Sequence, residues 1–109
     1  MNDNSNRKKL TEKNSKIRAF IVMPIAKEYN SIHLIIKKVC SNVDITCIRA
    51  DEIYKPGAII NQIFANITDT DFIIAEVSDG NPNVYYEVGI AHCIGKPSIL
   101  LARVDSHQN

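Results

Sequence analysis

The sequence predicts an α/β domain, a parallel sheet with helices on both faces, and three observations carry that reading. Short apolar runs rich in β-branched residues recur along the chain, as in Ala19-Phe20-Ile21-Val22 and Phe72-Ile73-Ile74-Ala75. They are continuous rather than alternating, as expected of strands covered on both faces. Between them lie segments whose apolar residues recur at helical spacing. Strand and helix then alternate throughout, and that alternation implies right-handed crossovers and a parallel sheet.

The elements follow in order. Residues 1–16 read as a disordered basic leader. Within residues 1–18 six Lys and Arg (Arg7, Lys8, Lys9, Lys13, Lys16, Arg18) stand against Asp3 and Glu12. So few apolar side chains cannot build a packed element, although such an arm can touch phosphates. No apolar h-region follows it, so it does not read as a signal peptide. Arg18–Met23 predicts the first, central strand, and Pro24–Asn30 the loop after it. Ser31 can cap a helix whose apolar stripe is Ile32, Ile35, Ile36 and Val39, with Lys37 and Lys38 facing water. Ile45–Ile48 predicts a second strand, Arg49-Ala50-Asp51-Glu52 its C-terminal loop, and Lys55-Pro56-Gly57 a turn. Ile59, Ile60, Ile63, Phe64 and Ile67 mark a second amphipathic helix, and Phe72–Glu76 a third strand. Asn81 is a preferred N-cap and Pro82 is suited to the first helical position. That helix runs through Glu87 to about Ile94, with Gly95 as C′ residue and Pro97 blocking continuation. Ser98–Ala102 predicts a fourth strand, and residues 104–109 a polar tail, which leaves one domain over residues 17–103.

The expected architecture is a three-layer flavodoxin-like parallel sheet in strand order 2-1-3-4. The crevice at its switch point lies between the first and third strands. Met23–Asn30 and Val77–Asn81 line it, with Arg49–Asp51 nearby. The fourth strand does not fit a finished edge, because Ile99, Leu100 and Leu101 are apolar on both faces. Edges of that kind are normally covered, so the expectation is a homo-oligomer, most simply a two-fold dimer.

A formal net charge of +1 gives no case for binding nucleic acid or a membrane surface. No run approaches the length of a membrane span. Three cysteines, Cys40, Cys47 and Cys93, without a secretory signal read as free thiols in a reducing cytoplasm, buried as small hydrophobes. His33, His92 and His107 show no zinc spacing, and no Walker A loop or G-x-G-x-x-G follows the first strand. No metal and no cofactor is therefore expected. The carboxylate that stands out is Glu87. Helix side chains tilt toward the helix N-terminus, so a Glu in the second turn reaches back to the crevice, where ligands of open α/β sheets bind. It is also the one charged residue between Asp79 and Lys96. Arg49 suits a ligand clamp or an ion pair with Asp51 or Glu52. Glu76 suits a second site carboxylate or a cap for backbone N–H groups. Asp79 reads as turn chemistry.

The order of these residues resembles one family. Met23-Pro24-Ile25 follows the first strand and Arg49-Ala50-Asp51-Glu52-Ile53 the second. Ile74-Ala75-Glu76-Val77-Ser78 precedes Asn81-Pro82-Asn83-Val84-Tyr85-Tyr86-Glu87-Val88-Gly89-Ile90-Ala91-His92. Over about residues 18–102 this resembles the nucleoside 2-deoxyribosyltransferase-like group, including its nucleotide-binding, TIR-like members. The resemblance implies a ligand that is a nucleoside, a nucleotide or NAD. It implies that Glu87 is the nucleophile at C1′ of the sugar, with Met23, Pro24, Arg49, Asp51, Glu76, Ser78, Asn81 and Asn83 around the substrate. N-glycosidic cleavage passes through a cationic, oxocarbenium-like centre that a carboxylate stabilises or traps. Two positions depart from the family. The acidic residue expected six places before the nucleophile is Asn81, and a second falls near Asn61; a neutral amide is no general acid. Three readings stay open: an enzyme acting on an N-glycosidic bond, a catalytically silent nucleotide sensor, and a TIR-like self-association module.

Overall fold

The computed structural model describes residues 17–49 and 60–104, with the backbone alone at residues 60 and 61. Its centre is a parallel sheet of four strands: β1 (Ile17–Val22), β2 (Ile45–Arg49), β3 (Phe72–Glu76) and β4 (Ser98–Leu101). The strand order is β2-β1-β3-β4, the order expected from the sequence. A single 3-10 turn, Lys27–Tyr29, leads into α1 (Asn30–Asn42); α2 (Ile60–Asp69) precedes β3, and α3 (Pro82–Cys93) joins β3 to β4.

The pleat sorts the strand residues between two core layers. Phe20, Val22, Ile73 and Ala75 point to one face, where Ile67 of α2 and Val84, Val88 and Ala91 of α3 pack on them. Ala19, Ile21, Cys47 and Ile74 point to the other, against Ile36 and Cys40 of α1 and Tyr29. Phe20, Ile21 and Ile73 are completely buried, and each contributes roughly 1.5–3 kcal/mol of burial free energy. Because β1 sits between β2 and β3, every β1 side chain from Ala19 to Val22 is inside.

Several local expectations change. Ser31 is not the cap: α1 starts at Asn30, two residues earlier than a Ser31 cap would give, after Tyr29 and with no side-chain cap. The stripe that docks is Ile32, Ile36 and Cys40, while Ile35 and Val39 face outward. Both sets run at i, i+4 spacing, and only packing against β1 and β2 chooses the rotation of the helix. Phe64 of α2 is likewise exposed, and Ile67 and Ile63 carry the contact. The Lys55-Pro56-Gly57 turn and Ile59 lie outside the described residues, as do the leader and residues 105–109 of the tail.

The carboxyl side of α3 follows its sequence closely. Gly95 adopts φ +75°, the left-handed C′ conformation that glycine accepts without strain. The Lys96 Nζ then donates to the carbonyls of Thr68 (3.1 Å) and Thr70 at the end of α2. A cation there satisfies carbonyls that the helix leaves unpaired and complements its dipole. β4 is the last strand of the described sheet, and Ile99, Leu100 and Leu101 are 49, 52 and 36% exposed.

Candidate functional site

A cleft of about 480 Å³ opens at the carboxyl ends of β1 and β3. Its size falls in the range of small-molecule sites. The loop after β1 supplies Met23, Pro24, Ile25 and Ala26, α2 supplies Ile63, and the cap and first turns of α3 supply Asn81, Asn83, Val84, Tyr86 and Glu87. The local sequence explains the α3 wall. Asn81 holds an extended conformation (φ −65°, ψ 126°), and its Oδ1 accepts from the backbone N–H groups of Asn83 (2.8 Å) and Val84 (3.2 Å). That cap starts the helix at Pro82 and so fixes the positions of the residues after it. Asn83, Tyr86 and Glu87 stand at i, i+3 and i+4, which places them on one helix face.

Glu87 is the electrostatic focus of the cleft. It is partly buried, and its Oε2 is shielded from solvent with no hydrogen-bond partner among the described residues. Burial disfavours the charged form and pushes its carboxyl from 4.5 up to about 7. Glu87 thus lines the cleft with one carboxylate oxygen that no described residue satisfies. Asn81 presents a different face to the cleft. Its oxygen is committed to the helix cap, so what it can offer a ligand is its Nδ2 hydrogens. Tyr86 lines the cleft 56% exposed.

Five of the residues expected around a ligand come together here: Met23, Pro24, Asn81, Asn83 and Glu87. Three others do not line the cleft. Arg49 ends β2 rather than starting a loop, is 4% exposed, and its guanidinium Nη1 lies 3.7 Å from the Met23 Sδ. It backs the cleft wall through Met23, and Asp51 and Glu52, its expected ion-pair partners, lie outside the described residues. Glu76 is buried at the end of β3, where its Oε1 accepts the Ser78 backbone N–H at 2.7 Å. It is a cap for the crevice loop. Ser78 is turned to the far side, where its Oγ accepts the Arg103 backbone N–H at 2.7 Å. Asp51 lies outside the described residues, and so does the side chain of Asn61.

The turn residue Asp79 does more than shape a turn. Its Oδ2 accepts the hydroxyl hydrogen of buried Tyr29, and its Oδ1 accepts from the Arg103 Nη2 at 2.7 Å. One carboxylate thus joins the segment after β1, the loop after β3 and the chain after β4. Spacing could not disclose this, because Asp79 is 50 positions from Tyr29 and 24 from Arg103. Ile25 and Ala26 line the cleft within the expected stretch Met23–Asn30, whereas Tyr86, Ile63 and Val84 were missed as lining residues; for Tyr86 the available signal was its i+3 relation to Asn83. Cys40 and Cys47 are buried, but Cys93 is exposed at the end of α3, not a core residue. Among the described residues no cluster of three His, Cys, Asp or Glu can hold a metal. No described helix is long and apolar enough to cross a membrane.

No family model matches the sequence, and no curated protein matches it. Among solved structures, the fold is similar to that of a 2-deoxyribosyltransferase from the psychrotolerant bacterium Bacillus psychrosaccharolyticus. The TM-score is 0.65 and the sequence identity 18%, over 84% of this chain and 77% of that chain. At that identity the likeness is one of fold.

Proposed function

We propose that the cleft binds a nucleoside-type ligand (a nucleoside, a nucleotide or NAD) and that Glu87 acts on its N-glycosidic bond. The observation that carries this reading is the Glu87 carboxylate, half-buried in the cleft with an unpartnered oxygen. The fold likeness to a 2-deoxyribosyltransferase supports it. In the reaction the C1′–N bond breaks and its electron pair leaves with the base. Glu87 either adds to C1′ as a nucleophile or stabilises the cationic carbon through space. Water or an acceptor base then takes the sugar. With water, its hydroxyl ends on C1′ and its proton is released or taken up by the departing base. Ionised Glu87 is the form that does this work, so turnover should rise with pH through about 7, where its carboxyl titrates.

The test is incubation with nucleosides, nucleotides and NAD, with released base read by chromatography. Glu87→Gln keeps the shape and deletes the charge. It should lower turnover by about 10²-fold or more, roughly 3 kcal/mol of barrier, while the fold persists. Unchanged turnover in that variant would remove Glu87 from the chemistry. The neutral amide at Asn81, where the resembled family has an acid, favours a second reading: a module that binds the same ligands without cleaving them. Saturable binding with no released base would select it.

A further inference from the structure

We infer that α1 and the bare strip of sheet beside it form a self-complementary face, on which a second copy of this chain docks with its own α1. The contact is separate from pairing at the β4 edge and does not depend on the reading of the cleft.

Helix geometry and strand order build the face. Ile32, Ile36 and Cys40 turn α1 toward β1 and β2. At about 100° per residue, Ile35 and Lys37 lie on opposite flanks of Ile36. Lys37 and Ser41 border Thr46 and Cys47 of β2. In the order β2-β1-β3-β4 the other flank, with Ile35 and Val39, therefore turns toward β3 and β4. These two side chains are 62 and 58% exposed, and Leu34 beside them 66%. On the same face of the sheet, Ile99 and Leu101 continue the rows of Ile74 and Glu76 and are exposed as well. An open groove of about 470 Å³ along Ile17, Phe72 and Ile99 extends the strip toward the amino ends of the strands. The described helices α2 and α3 pack on the opposite face.

Two strands side by side span about 10 Å, the width of one helix. The strip over β3 and β4 thus takes an apolar helix surface, and the chain carries one in α1 itself. Its two ends supply no other: residues 2–16 hold one large apolar side chain, Leu10, and residues 105–109 none. A two-fold axis parallel to the strands and beside Ile35 seats each α1 on the strip of the other copy. Ile35 and Val39 then meet their counterparts near the axis, and Leu34 comes over the exposed β4 side chains. Such a contact is isologous and closes on two copies. The axis leaves both sets of strands running the same way, so both clefts open at one end of the pair. Leu34, Ile35, Val39, Ile99, Leu101 and Ile17 together expose roughly 500 Å² per copy, less than the about 800 Å² that each partner buries in a standard stable interface. The expected affinity is therefore in the high micromolar range.

The experiment is oxidative cross-linking of the full chain, with sedimentation as a second readout. Cys93 is the exposed native thiol, while Cys40 and Cys47 are buried, so the background is Cys93→Ser. In it, Ile35→Cys should link to its counterpart across the axis at high micromolar concentration. Ser41→Cys, on the opposite flank, should give little or no linked pair. Leu100→Asp disables the β4 edge, yet that variant should still associate at high micromolar concentration. Adding Val39→Asp should leave it monomeric with an unchanged circular dichroism spectrum, since Val39 is exposed. Equal cross-linking at Ile35→Cys and Ser41→Cys overturns the inference. So does a Leu100→Asp variant that remains monomeric at high concentration. Protection of the Ile35→Cys thiol from a soluble reagent in dilute monomer also overturns it, because the chain itself would then cover the flank.

Discussion

Glu87 raises a question of stability as well as of chemistry. Its carboxyl is held near 7 in the folded chain against an ordinary value of 4.5. The folded state therefore keeps a proton that the unfolded state gives up between those values. Stability from this group is intact below pH 4.5, falls as pH rises toward 7, and stays reduced above it. The shift corresponds to a penalty on the order of 1–3 kcal/mol once partial exposure is allowed for. Glu87→Gln should accordingly be more stable than the parent at pH 8 by about that much, and nearly equal to it at pH 4. Urea denaturation at the two pH values reads the difference. A parent that matches the variant at both would mean that Glu87 has found a partner, and the unpaired-carboxylate argument would lose its basis. Asn81 behaves in the opposite way, because its cap stabilises α3. Asn81→Ala should cost about 1 kcal/mol and fray the first turn that carries Asn83 and Tyr86 into the cleft.

At the scale of elements, the cleft has two lips, the loop after β1 and the loop after β3, held by Asp79. Tyr29 is buried and donates to Asp79 from one side, while Arg103 reaches it from the exposed side. The backbone reinforces the second side, where the Val77 N–H donates to the Leu101 carbonyl at 2.9 Å. Gly80 completes the turn at φ +64°, so a residue with a side chain there is strained. Tyr29→Phe removes the hydroxyl and little else. A hydrogen bond to a charged acceptor is worth roughly 1.5–3 kcal/mol, so a destabilisation of that order is expected in denaturant titration. Faster amide hydrogen exchange should be confined to the loop at 77–81. Unchanged exchange in that loop would show that the Tyr29–Asp79 contact does not hold the lips together. Arg103→Ala should have the smaller effect, because its ion pair with Asp79 lies among exposed side chains.

At the scale of the whole molecule, the described helices cover the two faces of the sheet unequally. α2 and α3 pack on one face, and α1 packs over β1 and β2 on the other. By register Ile99 continues the row of Ile74, and Leu101 that of Glu76. Both point to the α1 side, and both stay exposed beyond the reach of that helix. The outer edge of β4 has no neighbour among the described strands, and Ser98-Ile99-Leu100-Leu101 carries neither charge nor proline to blunt it. We expect a second copy to pair there, antiparallel about a two-fold axis, since a neutral apolar strand is compatible with itself. Sedimentation at micromolar concentration should give a dimer, and Leu100→Asp a monomer. A monomeric parent would place the cover for β4 elsewhere.

The sequence by itself determined what depends on neighbours along the chain. Continuous apolar runs specified parallel strands, and Asn81-Pro82 with Gly95 bounded α3 within a residue or two. Because side-chain direction follows from helix geometry, those bounds also aimed Glu87 at the crevice. Tertiary structure decided what depends on rotation and distance. An i, i+4 pattern says that α1 has an apolar stripe, yet Ile32-Ile36-Cys40 and Ile35-Val39 satisfy it equally, and only docking on β1 and β2 buried the first. Arg49 and Glu76 carried charges that suited a site, but the ends of β2 and β3 proved to be interior, so one backs Met23 and the other caps Ser78. The convergence of Tyr29, Asp79 and Arg103 comes from three segments that meet only after the sheet has formed. The burial that raises the Glu87 carboxyl likewise belongs to the assembled cleft, because no local pattern records how much water a folded wall excludes.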